Sequence, residues 1–92
     1  MNLSTSSEAW WDRFQELLDQ DRSWPAEYLF KFIVPRPNLE ALQELFGEHP
    51  VVVRASTRGR YDSVTARLFM EDSASVVEMY RAAGEIPGVI SL

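Results

Sequence analysis

The 92-residue chain has no cysteine, one histidine, one lysine and four glycines, no two of them adjacent. The missing thiols exclude disulfides, thiolate nucleophiles and cysteine-ligated metals. Small extracellular domains lean on disulfides, so a cytoplasmic setting is expected. The lone imidazole, His49, stands beside Pro50 and has no second imidazole or thiol to complete a zinc site. It reads as an exposed turn residue, and no nucleophile elbow is present for which it would act as base. Scattered single glycines build no phosphate-cradling loop. The adjacent carboxylates Glu71 and Asp72 stand where a helix begins, so capping accounts for them better than acid–base chemistry. The start, MNLSTSSEAW, has neither a basic cluster nor an apolar run, and no stretch reaches bilayer length. The expectation is a non-enzyme with no cofactor, no metal and no membrane segment.

Charge is also one-sided. The net charge is −5, and eight of the nine basic residues are arginine, Lys31 being the exception. The acid excess disfavours indiscriminate binding to nucleic acid or acidic membranes. Acidity with little lysine fits a high-salt cytoplasm, and genome base composition explains the arginine bias equally well.

What is present is a bulky apolar complement: 46% hydrophobic residues, including three tryptophans and five phenylalanines. One domain is the most that this length supports. Residues 1–22 read as a polar tail and an amphipathic helix, and residues 23–92 as the domain proper. In SEAWWDRFQELLDQ, Trp10, Phe14, Leu17 and Leu18 recur at helical spacing, and Thr5 with Glu8 suggests a capping box. The stripe is expected to dock on the domain, over the open face of its sheet. Trp11 falls off the stripe, so an exposed Trp11 would be a partner anchor beside Trp10. EYLFKFIV places Tyr28, Phe30, Phe32 and Val34 on one face and Leu29, Lys31 and Ile33 on the other, the pattern of an interior strand. LEALQELFG reads as a helix with Asn38 as N-cap and Leu39, Leu42 and Phe46 buried. VVVRAST and YDSVTARLFM read as strands. A helix capped by Asp72 or Ser73 follows, with Val76, Val77, Tyr80 and Ala83 inward, and then the short strand VISL. After the first helix the order is β-α-β-β-α-β. The predicted class is therefore α+β, a ferredoxin-like four-stranded antiparallel sheet with two helices on one face and an extra N-terminal helix.

STRGRYDSV, residues 56–64, is then a hairpin, with Gly59 supplying a positive φ. Glycine chemistry does not explain the arginines. Residues 54–67 hold Arg54, Arg58, Arg60 and Arg67 against Asp62, a local charge of +3 within a chain of −5. Gly59, Tyr61 and Ser63 complete this basic hairpin as a candidate surface for an anion or an acidic partner. RNA recognition motifs share the topology and carry a basic-glycine-aromatic signature on their third strand. Here RGRYDSV keeps Arg-Gly and Val, but Tyr61 is one position out of place, so nucleic acid is the disfavoured alternative. PRPN, residues 35–38, is the second candidate: Arg36 to pair with a carboxylate, Asn38 and the helix amides to assist.

Residues 24–92 resemble the YbeD-like family of small bacterial proteins of unknown function. The resemblance is carried by Trp24-Pro25, by FKFIV with Lys31, and above all by Ser56, Gly59, Tyr61, Ser63, Val64 and Thr65. MYRAAGEIPGVISL resembles the family's last helix and strand. The chain departs from the pattern in its longer first helix and in the PRP that follows its first strand. The resemblance implies a fold similar to the ACT domains that regulate amino-acid enzymes, and no catalytic residue. The expected function is a small regulatory or adaptor module. It would bind a small-molecule effector or a protein partner and pair as a homodimer through its sheet.

Overall fold

A computed structural model describes residues 7–92. Helix α1 (Glu8–Asp21) is followed by strand β1 (Ala26–Pro35) and a 3-10 turn (Arg36–Asn38). Helix α2 (Leu39–Phe46), strands β2 (Val51–Ala55) and β3 (Tyr61–Met70), helix α3 (Ser73–Gly84) and strand β4 (Ile90–Ser91) complete the chain. The class is α+β. All strand pairs are antiparallel, and the sheet order is β2-β3-β1-β4, with the long β1 and β3 in the middle. This order is compatible with a ferredoxin-like arrangement.

Strand alternation decides the core. Phe30, Phe32 and Val34 of β1 point to the same side as Val64, Ala66, Leu68 and Met70 of β3, and all are buried. On that side they meet Leu42 and Phe46 of α2 and Val76, Val77, Tyr80 and Ala83 of α3. Phe30 and Phe32 stack at 6.1 Å, and the Tyr80 ring lies within 5.7 Å of both. Each such side chain contributes about 1.5–3 kcal/mol by leaving water. The Tyr80 hydroxyl is 3.0 Å from that of Tyr28, which satisfies both polar tips at the edge of the core. Burial, then the Tyr28 hydrogen bond, hold the Tyr80 phenol well above its ordinary titration range.

Caps explain the helix starts. Asp72 accepts from the Ser75 amide at 2.8 Å, and hydrogen bonding from the Ser75 side chain and then from this amide lowers its carboxyl pKa. For α1 the cap is Ser7, whose Oγ accepts from the Trp10 amide at 3.1 Å. Thr5, expected in a capping box, lies outside the described residues. Asn38 precedes α2, but its side chain does not cap it. Its Nδ2 donates to the Pro87 carbonyl at 2.9 Å and ties the turn to the approach to β4.

The first helix docks differently from the expectation. Trp11, placed off the stripe, is 4% exposed, whereas Trp10 is 37% exposed and Leu17 is also exposed. Trp11 and Leu18, seven residues apart, form the buried line, with Phe14 beside it. The helix lies against α3, on the helical side of the sheet and not over the open face. Phe14 meets the Tyr80 ring edge-on at 5.5 Å, and the Arg81 guanidinium sits 5.7 Å from the Trp11 ring. Arg81 also forms a two-pronged ion pair with Glu8, which lowers the Glu8 carboxyl pKa. The rotation has a physical reason: with Trp11 inward, one indole serves both the apolar core and the cation of α3. Trp11 is thereby removed as a partner anchor, and Trp10 remains as the half-open indole.

Candidate functional site

The two loops singled out as separate sites meet at one end of the sheet. Pro35 is the register partner of Tyr61, so the 3-10 turn after β1 lies alongside the hairpin before β3. The Arg36 amide donates to the Arg60 carbonyl at 2.9 Å. The Arg36 guanidinium grips the Asp62 carboxylate, with Nη2–Oδ1 at 3.0 Å and Nε–Oδ1 at 3.3 Å. Asp62 is buried, and Arg36 is the partner that keeps its charge inside the fold. Gly59 turns the hairpin with φ +73°, and a Cβ there would stand 3.1 Å from Arg36 Nη1. Arg36 is therefore spent on the protein's own carboxylate rather than presented to a ligand. Asn38 is likewise engaged, with Pro87.

The basic hairpin divides in the same way. Arg67 pairs with Glu27 at 3.0 Å across the outer surface of the sheet. Arg54, Arg58 and Arg60, together with Lys31, have no carboxylate partner among the described residues. Arg58 and Arg60 stand at the hairpin tip. Arg54 and Lys31 do not: alternation carries both onto the face away from the helices, with Ser63, Thr65, Arg67 and Phe69 of β3 and Val52 of β2.

This open face is where the unexplained chemistry collects. Phe69 is 71% exposed, and Leu29, Val52, Ile90 and Leu92 are exposed as well. Within it lies a shallow cleft of about 550 Å³ lined by Lys31, Val52, Arg54, Ser63, Thr65 and Leu92. Its floor is held by the sheet: Leu92 donates its amide to the Lys31 carbonyl at 2.9 Å, and Ser63 Oγ donates to the Arg54 carbonyl at 3.4 Å. The cleft thus offers two unpaired cations, two hydroxyls and two apolar walls on a rigid β platform. A second hollow of similar size, around residues 44–50, is lined by Glu44, Glu48 and the exposed His49, with no matching set of donors. Among the described residues no group of three histidine or carboxylate side chains is placed to hold a metal ion. No described helix is long and apolar enough to cross a membrane.

Sequence alone places Arg54 and Ser63 with the hairpin and gives Lys31 no role in a site. A signal was there. Lys31 is the one cation on its face of β1, between the apolar Leu29 and Ile33, and the same parity that buries Phe30 and Phe32 sends Lys31 to the opposite side. No protein-family model, curated protein or solved structure matches this chain.

Proposed function

We propose that this protein is a non-catalytic binding module of ferredoxin-like architecture. Its ligand is a small anionic metabolite, held by the cleft on the open sheet face. The observation that carries the reading is the pairing state of the cations. Arg36, Arg67 and Arg81 are each matched by a carboxylate, whereas Lys31 and Arg54 line a common cleft unmatched. A carboxylate or phosphate head between them gains charge-assisted hydrogen bonds, and Thr65 can add a hydroxyl donor. Val52 and Leu92 would cover an apolar body on the same ligand. The sheet order and the helices gathered on one face support the ferredoxin-like reading. The resemblance of residues 56–65 to the YbeD-like family, and through it to ACT domains, points to regulation rather than turnover.

The test is a thermal-shift screen against amino acids, carboxylic acids and phosphate esters at low salt. A ligand at about a hundred times its Kd adds about 2.7 kcal/mol, a rise on the order of ten degrees for a domain this small. The rise is expected to vanish in the Lys31→Ala/Arg54→Ala double variant. A blank screen, or a rise that survives in that variant, overturns the proposal.

A second reading keeps the same face but changes the ligand. Phe69 and Tyr61, both exposed, share the face with Lys31 and Arg54 and offer rings for base stacking. Fluorescence anisotropy with single-stranded RNA separates the two readings. RNA binding would show a steep fall in affinity with salt, and its absence at low ionic strength removes this alternative.

A further inference from the structure

The sheet ends on β2, and this strand is uncovered in three directions. Among the described residues its outer edge has no neighbour in the sheet. Val52 points to the open face and is exposed. Val53 points to the helical side, as the register partner of buried Val64, yet it is 37% exposed, whereas Val51 on the same face is packed against the core. Within Val51–Ala55 the edge carries one charge, Arg54, on the open face, and no lysine, proline or bulge in its register with β3, so few of the devices that keep edges apart are present.

The hydrogen-bond phase of this edge can be worked out. The Ser56 amide donates to the Tyr61 carbonyl at 2.9 Å. In an antiparallel ladder, hydrogen-bonded pairs alternate with non-bonded ones. Continuing from that pair along the register, Arg54 with Ser63 and Val52 with Thr65 are the bonded pairs. The amides and carbonyls of Val51, Val53 and Ala55 therefore point outward, away from β3.

We infer that β2 pairs antiparallel with β2 of a second copy of this chain, on a two-fold axis at Val53, making one continuous eight-stranded sheet. In that register Val53 bonds Val53 of the other copy, and Val51 bonds Ala55, so every outward group of the strand finds a partner. Moving the axis by one residue, to Val52 or Arg54, shifts the register by two and leaves one end of the strand unmatched. Charge selects the same alignment. Arg58 follows Ala55 by three residues and Glu48 precedes Val51 by three, so the hairpin tip of each copy comes beside the Glu48 turn of the other. Neither residue has an ion partner among the described residues. On the open face Val52 of one copy faces Arg54 of the other, so the two clefts adjoin.

The test is sedimentation velocity on the full chain over a concentration series, without ligand, so its outcome is independent of the metabolite reading. The wild type is expected to dimerise. Glu48→Arg and Arg58→Glu each place like charges together at both ends of the two-fold interface and should weaken the dimer about tenfold. The combined Glu48→Arg/Arg58→Glu variant should recover it to within about threefold. Val53→Pro removes an outward amide without breaking a bond to β3. It should leave the far-UV dichroism unchanged and abolish the dimer. A wild type still monomeric at about 1 mM overturns the inference. So does a dimer that Val53→Pro leaves intact, or a charge swap that fails to rescue.

Discussion

Removing Arg36 should destabilise the protein far more than its half-exposed position suggests. The side chain is 43% exposed, whereas its partner Asp62 is 4% exposed. Arg36→Ala leaves that carboxylate buried with no cation. Breaking a fully buried pair from one side costs about 3–5 kcal/mol. Here the guanidinium already reaches water and solvent can follow it in, so hydrogen bonds to a charged group set the better scale, about 1.5–3 kcal/mol. Asp62→Ala should cost less, about 1 kcal/mol, because the abandoned arginine turns to solvent. The double variant should then lose less than the sum, with a coupling of about 1–2 kcal/mol. Urea denaturation followed by tryptophan fluorescence measures all three. At about 4–8 °C per kcal/mol, Arg36→Ala should lower Tm by roughly 10–15 °C. A coupling under about 0.5 kcal/mol would refute the claim that this pair pins the 3-10 turn to the hairpin.

The other predictions concern packing and ionisation. Trp11→Ala should cost about 3–5 kcal/mol and Trp10→Ala well under half of that; equal losses would contradict the observed rotation of α1. Gly88 has φ +80°, and a Cβ there would lie 2.5 Å from the Pro35 ring, whereas at Gly47, φ +57°, it would meet open space. Backbone strain is common to both sites, and the clash with Pro35 should make Gly88→Ala cost about 1–2 kcal/mol more than Gly47→Ala, read from urea midpoints. The raised Tyr80 pKa means that the folded state holds its proton longer than the unfolded chain. Its contribution is complete below about pH 10 and falls above that by up to about 1.4 kcal/mol per pH unit. Tyr80→Phe should flatten this alkaline limb in pH-dependent denaturation. Asp72 acts with the opposite sign: its lowered pKa gives stability that is present above the ordinary aspartate range and lost as pH falls below it. Asp72→Asn, which can still cap, should shrink that acid limb.

The elements could be read locally because each is written in a short period. The alternation of β1 and β3 predicts their buried faces, and the stripe Val76, Val77, Tyr80 and Ala83 is the buried side of α3. Helix α1 was harder. Trp10 and Trp11 are adjacent, so apolar periodicity alone leaves two rotations of similar merit. The choice rests on Arg81 and Tyr80, some seventy residues away. Asn38 failed as a side-chain cap for a related reason, since its partner is a carbonyl at Pro87. The site had the same difficulty. Composition marks the arginines as surplus, but only the three-dimensional pairing shows which of them are already neutralised. Arg36 and Arg67 are, and Arg54 and Lys31 are not.

The most direct test of the binding account is a backbone amide NMR titration of the wild-type chain with phenyl phosphate, a probe with an anionic head and an apolar ring. The account predicts saturable shifts centred on Lys31, Val52, Arg54, Thr65 and Leu92, absent in Lys31→Ala/Arg54→Ala. Shifts confined to Arg36–Asn38 and the hairpin tip, or none up to about 10 mM probe, would contradict it.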